Sequence, residues 1–122
     1  MLSVPGRVKI FLCLAPTDMR KSFDSLSALV SEVLQQDPFS GHLFVFRSKR
    51  GDRVKLLYWE DTGYALWYKR LEVGTFRFPA ATREDQSSLT ISAADLAMLL
   101  DGVDLTSVKR SKRYRRVACV TS

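Results

Sequence analysis

The chain has 122 residues, of which 46% are hydrophobic and 26% charged, and its formal net charge is +6 at neutral pH. This length and composition predict one soluble domain with a core that needs no disulfide or metal to fold. The longest apolar stretch, Ile10–Pro16, is far shorter than the ~20 residues that span a bilayer. Cys13 lies in an apolar run and Cys119 in a polar one, and residues 1–9 lack the layout of a secretory signal. We therefore expect a reduced, cytoplasmic protein.

A strand and a helix are predicted first along the chain. Val8–Leu14 is apolar except for Lys9 and is predicted to form a central strand. A helix follows, capped by Thr17 or Asp18 and ending before the Asp37-Pro38 pair. Its predicted buried face consists of Met19, Phe23, Leu26, Val30, Val33 and Leu34. Its polar face includes Arg20, Lys21 and Asp24.

The next two elements are predicted to form a β-hairpin. Leu43–Arg47 and Arg53–Trp59 are rich in aromatic and β-branched residues, and the polar segment 48–52 between them contains a glycine. Five basic residues around the tip outnumber the single Asp52: Arg47, Lys49, Arg50, Arg53 and Lys55. A basic ribbon of this kind can enter a nucleic-acid groove, and the first four residues are candidate contacts. Alternatively, charges on exposed turns and edges only prevent aggregation.

The segment Tyr64–Val73 is compatible with two structures. Its aromatic residues share one helical face and Gly74 suits the position after a helix, so the spacing favours a helix. Alternation of side chains supports a strand instead. Five aromatic residues cluster in this region: Tyr58, Trp59, Tyr64, Trp67 and Tyr68. Such residues are more often core than a stacking platform for bases.

The remaining elements complete a predicted α+β domain over residues 1–108. Thr75–Phe78 resembles a short strand, and 80–88 a polar link. A final helix is expected after the capping residue Ser92, because Asp95 lies three residues further along the chain and a stripe of leucines follows. That stripe is Leu96, Leu99 and Leu100. The predicted fold is a small mixed or antiparallel sheet of about four strands with two to three helices packed on it.

Residues 109–122 are predicted to form a basic, flexible C-terminal tail. Its candidate nucleic-acid contacts are Lys109, Arg110, Lys112, Arg113, Tyr114, Arg115 and Arg116. The six basic residues among them account for the whole net charge of +6, since the rest of the chain has 13 basic and 13 acidic residues. A localised basic run gains most by displacing counterions from phosphates, and the tyrosine can stack on a base. The alternatives are a solvated tail that keeps the protein soluble and an attraction to anionic lipid, although the tail's neighbours lack an apolar face.

Catalytic chemistry has little support in the sequence. His42 is the only histidine, no ligand pair has zinc-like spacing, and no glycine-rich phosphate loop is present. Six acids could in principle hold metal ions: Asp18, Asp24, Asp52, Glu60, Asp61 and Asp104. Most lie where caps, turns and solvated faces place acids. We expect no catalytic residue, no metal and no cofactor.

The order of several long motifs resembles the TnpB-named accessory proteins of the insertion-sequence-sixty-six transposon family. The motifs that carry the resemblance are Pro16–Asp24, Asp37–Arg47, Arg50–Trp59, Gly63–Pro79 and Lys112–Arg116. The resemblance implies a bacterial mobile-element protein that assists transposition, with the chemistry assigned to a separate transposase that has an acidic triad. It supplies no catalytic residues to carry over.

These lines lead to three hypotheses. The first is a DNA-binding accessory protein that helps the transposase engage element ends through the tail and the hairpin tip. The second is a protein–protein adaptor for the transposase that uses the aromatic surface. The third is a cryptic metal-dependent nuclease. The expected partners are DNA at the element ends, the transposase and the element's other accessory protein, with no membrane; the oligomeric state is not indicated.

Overall fold

A computed structural model describes residues 5–102, which form a five-stranded sheet with one helix on each face. The elements are β1 (Ile10–Cys13), α1 (Phe23–Glu32), β2 (Leu43–Arg47), β3 (Arg53–Glu60), β4 (Gly63–Arg70), β5 (Ser88–Ile91) and α2 (Ala93–Leu100). The strand order is β4-β3-β2-β1-β5. The sheet is mixed, since β1 and β2 are parallel and the other neighbours antiparallel. Within the described range there are thus five strands rather than about four, and two helices; the predicted tail at 109–122 lies outside it.

The parallel pair β1 and β2 is connected by α1. Parallel strands need a crossover connection, and a helix commonly supplies it. The inner side of α1 is formed by Leu26 and Val30, which are buried in one cluster with Leu34 just after the helix and with Phe11 and Phe44 of the sheet. The sequence-predicted strand and helix are therefore present and pack on each other. Neither helix of the described residues is long and apolar enough to cross a bilayer.

The start of α1 differs from the prediction. Its N-cap is Ser22 rather than Thr17 or Asp18. Phe23 consequently lies in the first turn, and its side chain is 43% exposed, while Val33 beyond the last turn is 40% exposed. The expectation that both residues belong to the buried face is wrong. The helix is shorter than predicted, and only its central stripe faces the sheet.

The predicted hairpin of β2 and β3 is confirmed, whereas the helix favoured for 64–73 is wrong. β4 pairs antiparallel with β3 over its whole length, from Glu60 opposite Gly63 to Arg53 opposite Arg70. Its apolar side chains alternate between the two faces of the sheet. Trp67 packs against the core on the α2 side. Leu66 packs against the core on the α1 side, and this alternation is the property of a strand.

The α2 face of the sheet is also covered by an irregular segment that connects β4 to β5. The strand predicted for Thr75–Phe78 is absent from this segment. Phe76 nevertheless is 1% exposed and belongs to the core cluster of α2. Its N–H donates to the carbonyl of Gly51 at 2.7 Å, so its backbone bonds to the β2–β3 turn rather than to a strand.

Of the last two elements of the described region, α2 was predicted from the sequence and β5 was not. The polar link predicted for 80–88 ends in β5, an edge strand paired antiparallel with β1. The prediction of α2 is confirmed, since the Ser92 hydroxyl accepts from the N–H of Asp95 at 3.0 Å. The three leucines of its predicted stripe are buried.

The sheet has two ends, a tip end and a far end. The tip end carries the β2–β3 turn; β1, β2 and β4 finish there, and β3 begins there. The far end carries the β3–β4 turn and the starts of β1 and β2.

Candidate nucleic-acid interface

Two loops meet at the tip end. Because β1 and β2 are parallel, the loop after β1 and the turn after β2 leave the same edge of the sheet. The N–H of Thr17 donates to the carbonyl of Arg47 at 2.9 Å and fastens the two together. They enclose an open cleft of about 540 Å³, the tip cleft. The charged residues that line it are Asp18, Arg20, Lys49, Arg50, Asp52 and Arg53. Ligands of open α/β sheets commonly bind at this place, outside the carboxyl ends of parallel strands.

The β2–β3 turn is fixed by its own hydrogen bonds. The hydroxyl of Ser48, a buried residue, accepts from the N–H groups of Gly51 at 3.2 Å and Arg53 at 3.1 Å. Gly51 has φ of +83°, and a Cβ there would lie 3.3 Å from Cβ of Thr75. The left-handed backbone favours glycine, and a Cβ would also be in tight contact with Thr75. Lys49 and Arg50 are thus exposed cations on an ordered turn.

The loop after β1 contributes a further cation. The Asp18 carboxylate accepts from the N–H of Arg20 at 2.9 Å and from its Nη2 at 2.7 Å. These hydrogen bonds hold the pKa of Asp18 at about 2, so the ion pair persists at neutral pH. The Arg20 side chain is still 91% exposed. Sequence reasoning assigned Arg20 to the polar face of a helix and missed its place in the cleft. The signal was present, since the Thr-Asp-Met-Arg-Lys stretch directly follows a buried strand.

Lys55 does not contribute to the charge of the tip as the sequence suggested. It is 6% exposed, and its Nζ donates to the carbonyls of Met19 and Lys21, both at 2.7 Å. The ammonium also lies 4.8 Å from the centroid of the Tyr68 ring. A buried charge is tolerated when it is hydrogen-bonded in this way. Lys55 therefore ties the loop after β1 to the sheet.

A second, smaller cleft continues from the first. We call it the edge cleft; its volume is about 350 Å³ and it is lined by Arg53, Tyr68, Arg70 and Glu72. Arg53 lines both clefts and connects them. Arg70 forms an exposed ion pair with Glu72 at 3.0 Å. Cations and an exposed tyrosine thus extend from the tip to the free edge of β4.

Arg47 is separated from the other three predicted hairpin residues. Its Nη1 donates to the carbonyl of Phe76 at 3.4 Å, and its guanidinium lies 4.5 Å from the centroid of the Phe78 ring. Burial lowers its pKa. Arg47 lines neither cleft. Lys49, Arg50 and Arg53 are therefore the predicted residues that the fold brings together.

The predicted tail contacts, Lys109–Arg116, lie outside the described residues. The described chain ends at Gly102, just after α2. The carbonyl of Leu100 near that end accepts from Nζ of Lys69 at 2.8 Å. Lys69 is the neighbour of Arg70 in β4 and pairs with Val54 near the tip end. The chain thus leaves α2 at the same end of the sheet as the clefts.

Carboxylates are sparse around the two clefts. Asp18 is paired with Arg20, Glu72 with Arg70, and an Asp52 oxygen lies 3.4 Å from the Ser48 hydroxyl. Within residues 5–102, no group of three or more histidine, cysteine, aspartate or glutamate side chains is placed to hold a metal ion.

The five aromatic residues of 58–68 divide between core and surface. Tyr58 and Trp67 pack against the core on the α2 side, and Tyr68 is 50% exposed. At the far end, Trp59 and Tyr64 contact each other with ring centroids 5.1 Å apart.

Sequence reasoning missed Phe39, which contacts Trp59 at 5.0 Å and Tyr64 at 5.6 Å between ring centroids. Phe39 is 57% exposed. We call Phe39, Trp59 and Tyr64 the aromatic patch.

Comparison with family models places the chain in one family. The sequence matches the family model described as "IS66 Orf2 like protein" over residues 8–110, a range that includes every described helix and strand. "Uncharacterized protein y4jC" of Sinorhizobium fredii (strain NBRC 101917 / NGR234) is 39% identical over 117 residues, which cover 93% of this chain and 97% of that protein. "Uncharacterized protein y4hO" of the same strain is 38% identical over 117 residues, covering 96% and 99%. No solved structure matches the chain.

Proposed function

The chain belongs to the IS66 Orf2-like family, a family of transposition accessory proteins, and from this premise we propose that it is a non-catalytic subunit that binds DNA at the ends of an insertion sequence and assists a separate transposase. The observation that carries the DNA-binding proposal is the convergence of cations from two distant chain segments on the tip cleft. Arg20 comes from the loop after β1, and Lys49, Arg50 and Arg53 come from the hairpin.

Three of these cations are free to bind a ligand, whereas Arg20 is paired with Asp18. The side chains of Lys49, Arg50 and Arg53 form no ion pair with any residue between 5 and 102. Neutralising DNA phosphates with such side chains releases condensed counterions, which favours binding strongly at low salt. Contacts of this kind position a protein on DNA without reading its sequence. Sequence selectivity would then come from the transposase or from base contacts elsewhere.

Binding to a labelled duplex of the element end, measured over a series of salt concentrations, tests the proposal. Each phosphate contact contributes about −0.9 to the slope of log K against log salt. The double variant Lys49→Ala/Arg50→Ala should flatten the slope by about two units. The matched control is Arg7→Ala/Lys9→Ala, which removes two exposed cations at the far end. The tip would be refuted as the DNA contact if the tip variant left the slope unchanged, or if the control variant flattened it equally.

The tail requires its own measurement. If all six basic residues of 109–116 contact phosphates, they account for a slope of about −5. Replacing them with glutamine in the full chain should flatten the slope by that amount and leave the melting temperature unchanged. An unchanged slope would exclude the tail as a DNA contact.

A second candidate function, an adaptor for the transposase, is favoured by the aromatic patch. Phe39 is the exposed member of this patch, since Trp59 and Tyr64 are partly buried. Exposed apolar side chains often mark protein-binding sites, and aromatic residues dominate the energetics of such interfaces. Phe39→Ala should reduce capture of the transposase. Phe23→Ala is the matched control, because it removes another exposed phenyl ring, from the first turn of α1. If both variants capture the transposase as the parent protein does, the patch is not the docking site.

A further inference from the structure

Tyr68 is an aromatic side chain held in an exposed position. It lies on the edge strand β4 and is 50% exposed. The Lys55 ammonium, 4.8 Å from the ring centroid, is itself fixed by two carbonyl oxygens. A cation over a ring interacts favourably with its π system and restricts the ring's movement. The side chain is therefore a positioned surface on which another flat group can stack.

Two arginines flank this tyrosine. Arg53 and Arg70 are directly opposite each other in the pairing of β3 with β4. Like charges opposite each other destabilise a sheet, and a bound anion relieves that repulsion. Glu72 contacts Arg70, but this ion pair is exposed and of the kind that contributes little to stability. Arg53 has no ion pair within residues 5–102.

The edge cleft therefore offers a stacking surface and two anion-binding groups side by side. Its volume of about 350 Å³ is within the range of small-ligand clefts, which begins near ~300 Å³. Arg53 joins it to the tip cleft, so the tyrosine lies next to the surface for which we propose phosphate contacts. A base inside a duplex is covered on both faces by its neighbours, whereas an unpaired base presents a free face.

We propose that the edge cleft binds an unpaired nucleotide of DNA, with its base stacked on Tyr68 and its phosphate between Arg53 and Arg70. The inference rests on the proposed DNA-binding function and adds a substrate class to it, namely single-stranded or frayed DNA. Stacking on an aromatic side chain is tolerant of base identity, so the site selects unpaired bases rather than a sequence.

Fluorescence anisotropy with the full-length protein and three probes tests the proposal. The probes are a single-stranded oligonucleotide, its duplex, and a single strand whose central bases are replaced by abasic sites. Tyr68→Leu should weaken binding to the single strand by about tenfold, the order expected for loss of one stacked base. Binding to the duplex and the abasic strand should change by less than about twofold. Tyr68→Phe, which retains the ring, should bind all three probes as the parent protein does.

The abasic probe keeps the test independent of the variants' folding, because the unaltered protein should bind it about tenfold more weakly than the intact strand. Equal affinity of the unaltered protein for the intact and abasic strands would overturn the inference. So would an equal loss on all three probes with Tyr68→Leu. In both cases DNA binding itself would stand. Binding to none of the probes by the unaltered protein would instead refute the proposed function.

Discussion

Replacing Lys55 with methionine should destabilise the protein. Lys55 is 6% exposed, and its ammonium donates to the carbonyls of Met19 and Lys21, both at 2.7 Å. Methionine keeps the aliphatic stem in place but leaves both oxygens without this donor. A hydrogen bond to a charged group contributes about 1.5–3 kcal/mol. In the variant no ammonium has to be desolvated on folding, and this gain offsets part of the stability lost with the two hydrogen bonds. We therefore expect a net loss of about 2–3 kcal/mol in the free energy of unfolding.

Urea unfolding of the purified variant measures this loss. The matched control is Lys49→Met, which makes the same chemical change at an exposed site. The control should stay within about 0.5 kcal/mol of the parent protein. Lys55→Met should also have little effect on the slope of log K for DNA binding against log salt, because the buried ammonium does not contact phosphate. A variant as stable as the control would show that the two carbonyl contacts do not support the fold.

Two other measurements test the packing of α1 and the ion pair of the tip. Leu26→Ala should lower the free energy of unfolding by about 3–4 kcal/mol and Phe23→Ala by no more than about 1 kcal/mol, since Leu26 is 0% and Phe23 43% exposed. The opposite order in denaturant unfolding would contradict the face assigned to α1. The pKa of Asp18 is lowered from 3.8 to about 2, so its contribution to stability is present above about pH 4 and is lost as the pH falls through about 2. NMR titration of its carboxyl should show that midpoint, and Arg20→Ala should return the midpoint towards 3.8; an ordinary midpoint in the parent protein would exclude the ion pair.

Elements with local signals could be predicted from the sequence, and elements decided by pairing could not. The apolar run of β1, the hairpin turn at 48–52 and the cap of α2 at Ser92 each have a local cause. β4 was ambiguous because its residues suit a helical face as well as a strand. Its eight-residue pairing with β3 decided the outcome. β5 is a four-residue edge strand whose formation depends on β1.

For the same reason, only part of the candidate site could be predicted from the sequence. Lys49, Arg50 and Arg53 follow from a polar turn between two strands, which is a local pattern. The position of Arg20 in the tip cleft depends on where α1 begins, and contacts between distant parts of the chain influence that start. The N–H of Thr17 donates to the carbonyl of Arg47 at the end of β2, and a turn closed by the N–H of Lys21 and the carbonyl of Asp18 follows, so the helix starts only at Phe23. Hydropathy spacing contains no information on these bonds.

The two proposed binding functions use opposite ends of one strand. β3 begins with Arg53 at the tip clefts and reaches Trp59 of the aromatic patch six residues later. At about 3.3 Å per residue, the two surfaces are separated by about 20 Å. Exposed acids lie near the patch, at Asp37, Glu60 and Asp61. These three carboxylates outnumber the two exposed cations of the far end, Arg7 and Lys9, whereas cations are in excess at the tip. The charge distribution therefore favours DNA at the tip end. DNA held there leaves Phe39 open to a protein partner, and the two proposed activities are therefore compatible in one complex.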